Sequence, residues 1–563
     1  MPFIRTARIL SLPLLILLNG CGGGGDDGDT NPEPPVDIID ETIKISGDYA
    51  VERLGTGVDK NIVISLGSTP KDLYILLSNY SQTSSDSTSE LSHDRKLQNE
   101  QVTAKSSKIA VSSPVKHAPE HIARFKEQIN GTLHEEDEDT LLDIRSKITE
   151  RSASIVGTNE NFCTDITSSG VCTVSIAATL KSVTSSSTPL GTKTLNVWVE
   201  DDSFGSGCRK RNCVTQDMVD ILANQFLQDG DSNDIYEWVT NIYGEEWGTH
   251  TFTELISPTN TIDILLTDID KDNSTTGGVI GFFYPKDNFL QSIYSGSNEK
   301  IMFYIDSVLY ATGEDGWDIN DFWPKETIST LAHEFVHMIQ FYQKDIHLSS
   351  YTDTWLDEML AETTEDLIAT KIQHTGPRGV DYLDGSAGDP DNPNGRYPLF
   401  NQTNTLSLTQ WGYTLADYSH VNAFGTFLTR NYGGAALLHG IMHNSYTDEQ
   451  AVVSAVNALG ASKNFNDLLR EWGVAVVLSD LLSPYDLPTY NTGDFSYSMY
   501  DATTYDMGSI NFFNYSPQPS VYSFIDTVSA QANYYYMIGE NLTGDVTLTL
   551  NLASQTEATL IAK

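Results

Sequence analysis

The chain has 563 residues, too many for one ordinary hydrophobic core, so several domains are expected. Hydrophobic residues make up 39% and aromatics 10%, which suits packed domains and excludes a wholly disordered chain. Against 33 basic residues stand 76 acidic ones, a net charge of −43; such a surface repels phosphate backbones, so nucleic acid is not expected as a partner.

Residues 1–20 read as a signal peptide: Arg5 and Arg8 precede an apolar run, Ile9–Leu18, too short to span a bilayer. The run ends in Leu18-Asn19-Gly20-Cys21, which resembles the lipobox of bacterial lipoproteins. The resemblance implies cleavage before Cys21, acylation of that cysteine and attachment to a membrane. Gly22 stands where an Asp would favour retention at the inner membrane, so the outer membrane or cell surface is the expected location. Residues 21–39, rich in Gly, Asp and Pro, form a tether. No other run is long and apolar enough to cross a membrane.

From 40 to 195 the pattern predicts a β-rich N-terminal region. ETIKISGDYAVERL, NIVISLG and DLYILLSNY are short strand-like runs, as are TVSIAATLKSV and KTLNVWVE. Between them residues 81–150 form a mixed-charge linker with one or two exposed helices. Four cysteines lie in close pairs, Cys163 with Cys172 and Cys208 with Cys213. In an oxidising compartment neighbour pairing into two disulfides is the simplest of the three pairings, and neither pair has the CxxC spacing that favours a zinc site.

Residues 196–495 carry the chemistry. MVDILANQFLQ and DIYEWVTNIYG have helical spacing, whereas TIDILLTDID and KIMFYIDSVLY are continuous apolar runs, as in buried strands. DIDKDN, Asp268–Asn273, alternates carboxylates as a calcium loop does, but Asn273 and Val279 occupy the positions where such a loop needs Gly and Glu. A solvated acidic loop is the simpler reading there, and Ca²⁺ the alternative; QDGDSND at 228–234 is a similar case.

In TLAHEFVHMI, Thr330–Ile339, a helix puts His333 and His337 one turn apart on one face, the arrangement by which two imidazoles hold one Zn²⁺. Glu334, beside the first ligand, is placed to act as general base for a metal-activated water. Apart from the histidines, Glu334 is the one charged residue between Thr330 and Phe341, as befits a buried helix. A third ligand is needed. Gln340 and Gln343 stand where a metzincin has Gly and His, and His347 falls too late for that motif. The segment TWLDEMLAETTEDL predicts a second helix, and Glu358 follows His337 by a gap suited to a turn and an antiparallel return. Glu362 and Asp357 stay open as alternative ligands.

HEFVH followed by Trp355-Leu356-Asp357-Glu358 resembles the gluzincins, whose third ligand is a Glu in a WLxE motif on the next helix. That resemblance makes Glu358 the third ligand and Glu362, one turn on, the carboxylate that orients a ligating imidazole. The order TIDILLTDI, GGVIGFF, SNEKIMFYID, TLAHEFVHMIQF, TWLDEMLAETTED is similar to the hyicolysin-type neutral metallopeptidases, family M30, over roughly Asn196–Asp480. Asp357 stands where relatives often carry Asn, and Met359 where Gly is common. Gluzincins often stabilise the oxyanion with a Tyr or His from the helical half. The candidates are Tyr413, Tyr418 and His420, with His443 more remote, and Tyr418 is the preferred one.

The expectation is therefore an α+β chain: a zincin-like catalytic domain at 196–495, and a separate C-terminal β domain at 496–563 announced by SVYSFID, NYYYMIGENL and DVTLTLNLA. Its expected activity is zinc-dependent hydrolysis of internal peptide bonds in extracytoplasmic proteins. Zinc aminopeptidases with WLxE usually add a GxMEN-type motif, which is absent here; an aminopeptidase is the alternative enzyme. A catalytically silent surface-binding lipoprotein is the alternative of another class.

Overall fold

The computed structural model describes residues 40–83, 88–94, 155–228, 235–374, 395–481, 503–514 and 527–563, with scattered positions between 115 and 133 and between 487 and 497. The signal peptide, Cys21, the tether, most of the charged linker and most of QDGDSND lie outside the described residues. No described helix is long and apolar enough to cross a membrane.

In chain order the strands are β1 (Glu41–Lys44), β2 (Ala50–Thr56), β3 (Asp59–Ser65), β4 (Lys71–Asn79), β5 (Glu90–His93) and β6 (Val115–Lys116). There follow β7 (Asn159–Ile166), β8 (Cys172–Thr188), β9 (Gly191–Glu200), helices α1 (Gln216–Phe226) and α2 (Ile235–Tyr243), then β10 (Thr261–Thr267), β11 (Gly278–Val279), β12 (Gly281–Phe283) and β13 (Met302–Asp306). The helical half comprises α3 (Ser307–Tyr310), α4 (Phe322–Gln340), α5 (Thr354–Ile372), α6 (Arg396–Thr403), α7 (Leu415–Asn431), α8 (Ala435–Met442), α9 (Glu449–Ala458) and α10 (Phe465–Val477). Strands β14 (Gly493–Tyr497) and β15 (Thr503–Met507) pair with each other, and β16 (Ala532–Leu542), β17 (Asp545–Asn551) and β18 (Thr556–Ala562) end the chain. The class is α+β, as the alternation of patterns implies.

Six strands in the order β12-β13-β10-β9-β8-β7 form one mixed sheet. β10 lies parallel to both β9 and β13, and from Ile262 onward every residue of it is buried. A strand covered on both faces has no polar side, which is why TIDILLT reads as a continuous apolar run. β7 and β8 belong to this sheet, so the expected boundary at 195 is wrong: the catalytic unit begins before residue 160. Both expected disulfides are formed, Cys163–Cys172 at the β7–β8 turn and Cys208–Cys213 after β9.

The terminal β regions are not two domains. Strands from both ends interleave in two four-stranded sheets, β1-β3-β17-β5 and β16-β4-β18-β2, around one core that includes Ile62, Ile75, Leu548 and Leu560. β17 sits between β3 and β5, and β4 between β16 and β18, so neither end completes a sheet alone. Residues 503–507 do not join them: Tyr505 donates to the Trp238 carbonyl at 2.7 Å, which assigns β15 to the catalytic unit and moves the expected boundary at 496. The sandwich is seated on α10. There Gly473 allows close approach, since a Cβ at that position would lie 2.7 Å from the Leu76 methyls. Asn533 bridges the two units, accepting from the Ser78 hydroxyl at 2.6 Å and donating to the Leu469 carbonyl at 2.7 Å.

Candidate metal centre

Every residue of α4 from Glu326 to Gln340 is buried. Leu331 and Phe335 enter the core, where Phe335 meets Phe226 and Tyr236 with ring centroids 5.0 and 5.4 Å apart. A helix this deep must pair its polar groups with one another, because unpaired ones cost about 1–3 kcal/mol each. A π-helical turn, Phe341–His347, ends α4, and the chain returns as α5 packed against it.

The return brings three acceptor atoms together. His333 Nε2 and His337 Nε2 are 3.1 Å apart, and each is 3.3 Å from Glu358 Oε2. On the far side of each ring, Nδ1 meets a carboxylate: His333 with Glu365 Oε1 and His337 with Asp357 Oδ1, both at 2.8 Å. Those contacts assign the ring proton to Nδ1, leaving a lone pair on each Nε2. Two such lone pairs and a carboxylate oxygen then face one another with no donor between, and Glu358 Oε2 is buried without a proper hydrogen bond. Only an added cation or proton makes this stable. A tetrahedral ion about 2.0–2.1 Å from each donor sets the donors about 3.3–3.4 Å apart, close to the observed triangle.

Burial disfavours the charged form of His333, but Glu358 and Glu365 outweigh it and hold its pKa well above the usual imidazole range. For His337 burial is likewise opposed, by Asp357 and Glu358, and its pKa is pushed up to about 9. Burial works against ionised Glu358 too, yet the two imidazoles hold it well below the usual carboxylate range. The pocket thus attracts positive charge.

Glu334 points its carboxylate at the sheet edge. Its Oε2 accepts from the Phe283 amide of β12 at 2.9 Å, while Oε1 is buried and unpartnered. Burial raises its pKa, against the pull of both histidines. Tyr418, near the start of α7, brings its hydroxyl to 3.5 Å from Glu358 Oε1. Burial and the Glu358 charge hold that phenol well above its usual pKa, so it keeps its proton to donate. Close contact between α5 and α7 requires Gly425: a Cβ there would fall 1.9 Å from Thr363 Oγ1 and 3.0 Å from Met359 Cγ. Met359 is thus accommodated against a glycine of the neighbouring helix.

Glu362 has a carboxylate oxygen within 4.8 Å of donor atoms of His333 and Glu365, and it is engaged by a cation from another helix. Its carboxylate accepts from Arg396 Nη2 at 2.8 Å, from Arg396 Nε at 3.0 and 3.1 Å, and from Asn422 at 3.0 Å. The carboxylates bonded to the imidazole Nδ1 atoms are Asp357 and Glu365. The available sequence signal was the excess of acids on a helix with no exposed face: each buried carboxylate must meet a cation, an imidazole or an N–H. A Glu365→Gln variant is expected to bind zinc about 10–100-fold more weakly without unfolding; equal affinity in a competitive chelator titration would refute that placement.

The other candidates turn elsewhere. His420 bonds the Ala416 carbonyl through Nδ1 at 2.8 Å and packs on Phe400, and burial lowers its pKa to about 4. His443 packs against His439 with centroids 4.3 Å apart and planes tilted by 44°, and Tyr413 is 38% exposed. In DIDKDN, Asp268 is engaged by Lys210 at 2.8 Å and by the Asn273 amide at 3.0 Å, and Asp272 accepts from the Ser274 amide. These are the contacts of an acidic loop with its own partners, and they give calcium no support.

Comparison with known proteins agrees with this centre. The sequence pattern of the peptidase M30 family matches residues 175–513, more than half of the chain. The chain belongs to the peptidase M30 family. The M30 match starts inside β8, earlier than the sequence resemblance alone extended, and ends after β15. The neutral metalloprotease ShpI of Staphylococcus hyicus is 25% identical over 273 residues, 47% of this chain and 52% of that protein. This M30 chain therefore spans about half the length of that curated relative. The His333–His337–Glu358 triangle lies within the M30 region.

Proposed function

We propose that this M30 chain is a zinc-dependent endopeptidase with a zincin-like catalytic unit, acting on proteins outside the cytoplasm. The observation that carries the reading is the triangle of three buried acceptors, each imidazole backed by a carboxylate. His333, His337 and Glu358 would hold the ion: two imidazoles and one carboxylate oxygen are the donor set of catalytic zinc, with a coordination position left open. Zinc, when bound, supplies Lewis-acid chemistry, lowering the pKa of water to about 7 and polarising a carbonyl.

The remaining work belongs to the chain. Glu334 keeps Oε2 on the Phe283 amide, which fixes the carboxylate and leaves Oε1 to accept a proton from the attacking water. The same carboxyl then delivers that proton to the amine of the departing peptide. Tyr418, held protonated beside Glu358, donates to the developing oxyanion. Casein cleavage that stops with chelator and returns with zinc is expected, as is cleavage of blocked peptides. Activity indifferent to the chelator would defeat the reading, and cleavage confined to free amino termini would make the chain an aminopeptidase.

Export and lipid attachment rest on the segment ending at Cys21 and on the paired cysteines, which need an oxidising compartment. Full-length protein is expected in the membrane fraction and Cys21→Ser in the soluble fraction; identical partitioning of the two would remove the lipid anchor from the proposal.

A further inference from the structure

A loop beside the metal centre is bonded to the sandwich. Residues 407–414 lead into α7, and within them Trp411 packs edge-to-face on Tyr418 with ring centroids 4.9 Å apart. The Trp411 indole Nε1 is buried and has no hydrogen-bond partner. No hydrogen bond of its own therefore orients the ring, and its position follows from its packing and from where the loop backbone is held.

That backbone is held by the sandwich. The Leu408 amide donates to the Gln531 carbonyl at 3.1 Å, and the Gln531 amide donates to the Ser81 carbonyl at 3.1 Å. The Thr409 hydroxyl donates to Gln531 Oε1, and Gln410 Nε2 donates to the Gln82 carbonyl at 3.4 Å. Ser81 and Gln82 follow β4, whereas Gln531 directly precedes β16, whose Ala532 pairs with Asn79. The Asn79 amide group secures the approach to Gln531 by donating to the Val528 and Ser529 carbonyls at 2.8 and 3.0 Å. Both ends of the chain thus grip a loop of the catalytic unit, and that loop carries the ring that backs Tyr418.

We infer that the two-part sandwich is a positioning element of the metal centre: Gln531, braced by Ser81, holds the 407–414 loop so that Trp411 keeps Tyr418 beside Glu358. Two other roles for the terminal regions then fall away. Residues 40–94 are not a removable propeptide, because their loss would strip β16, β17 and β18 of partners and free the loop. Nor is the sandwich an independent binding module on a tether. The inference rests on the peptidase reading for its catalytic consequence, but not for the mechanical link.

The test uses the full chain with zinc bound. Thr409→Val and Gln531→Ala remove the side-chain bond to the loop without touching the metal centre. Hydrogen exchange of the peptide spanning 407–414 is expected to quicken about 5-fold or more, the loss of roughly one net hydrogen bond. kcat is expected to fall about 10-fold at unchanged KM and zinc content, since a small displacement of a donor costs rate rather than binding. Thr409→Ser, which keeps the hydroxyl, restores both. Trp411→Ala gives a similar kcat loss, and combining it with Thr409→Val adds little, because the two act through one contact. Unchanged exchange in both variants would overturn the inference whatever the activity. So would losses that simply add, or a kcat loss matched by lost zinc. A wild-type chain that binds zinc but cleaves nothing fails the peptidase reading, while the exchange experiment still decides the mechanical link.

Discussion

His333→Ala is expected to purify without zinc and without peptidase activity, whereas the unaltered chain is expected to carry about one zinc per molecule. The effect is large because His333, like His337, belongs to two contacts at once. Its Nε2 is one corner of the acceptor triangle, and its Nδ1 holds Glu365 at 2.8 Å. With the ring gone, two donors remain where a catalytic zinc site needs three, so the loss of affinity exceeds the roughly 10–100-fold that removing an outer partner costs. Glu365 loses its imidazole in a site where burial, the largest cause, raises its pKa to about 7 even with His333 in place to lower it. Taking up a proton relieves that charge, so the fold is expected to persist with a lowered melting temperature. Metal analysis beside circular dichroism checks both halves. A folded variant that still holds stoichiometric zinc would show that the ion sits elsewhere.

Glu334→Gln is expected to separate binding from chemistry. The amide oxygen can still accept from the Phe283 amide, so the local packing and the three proposed ligands are expected to stay in place. What disappears is the ability of the inward oxygen to take a proton. Zinc content is expected to be unchanged and kcat to fall about 10²–10⁴-fold, the usual worth of a positioned general base. Equal turnover in the variant would leave the proton transfer to another group. Zinc lost along with activity would instead make Glu334 a ligand and Glu358 its substitute.

These variants test different parts of one arrangement, and the parts were unequally legible. A four-residue spacing in a helix has one geometric meaning, so HEFVH placed two imidazoles on one face before any coordinates. The apolar flanks likewise implied a buried helix, and burial holds from Glu326 to Gln340. Glu358 was reached through the resemblance of WLDE to a known motif. Which of the acids on α5 would meet which ring was not legible. Asp357, Glu358, Glu362, Glu365 and Asp366 all lie on a helix buried on every side. The choice among them fell to outside partners: Arg396 from α6 claims Glu362, and Arg430 from α7 claims Asp366 at 2.9 Å. Neither arginine carries a local sequence signal for that pairing.

By itself the sequence determined the local matters: the strand and helix patterns, the pair of imidazoles with an adjacent carboxylate, and disulfides between near neighbours. Each follows from periodicity or short spacing, where the chain supplies its own geometry. Tertiary structure alone decided the rest. It set the roles of Glu362 and Glu365, the approach of Tyr418 to Glu358, and the merging of the two chain ends into one sandwich that grips residues 407–414. Alternating residues tell a strand which face is buried but not which strand lies beside it, and a buried charge shows that a partner must exist without naming it.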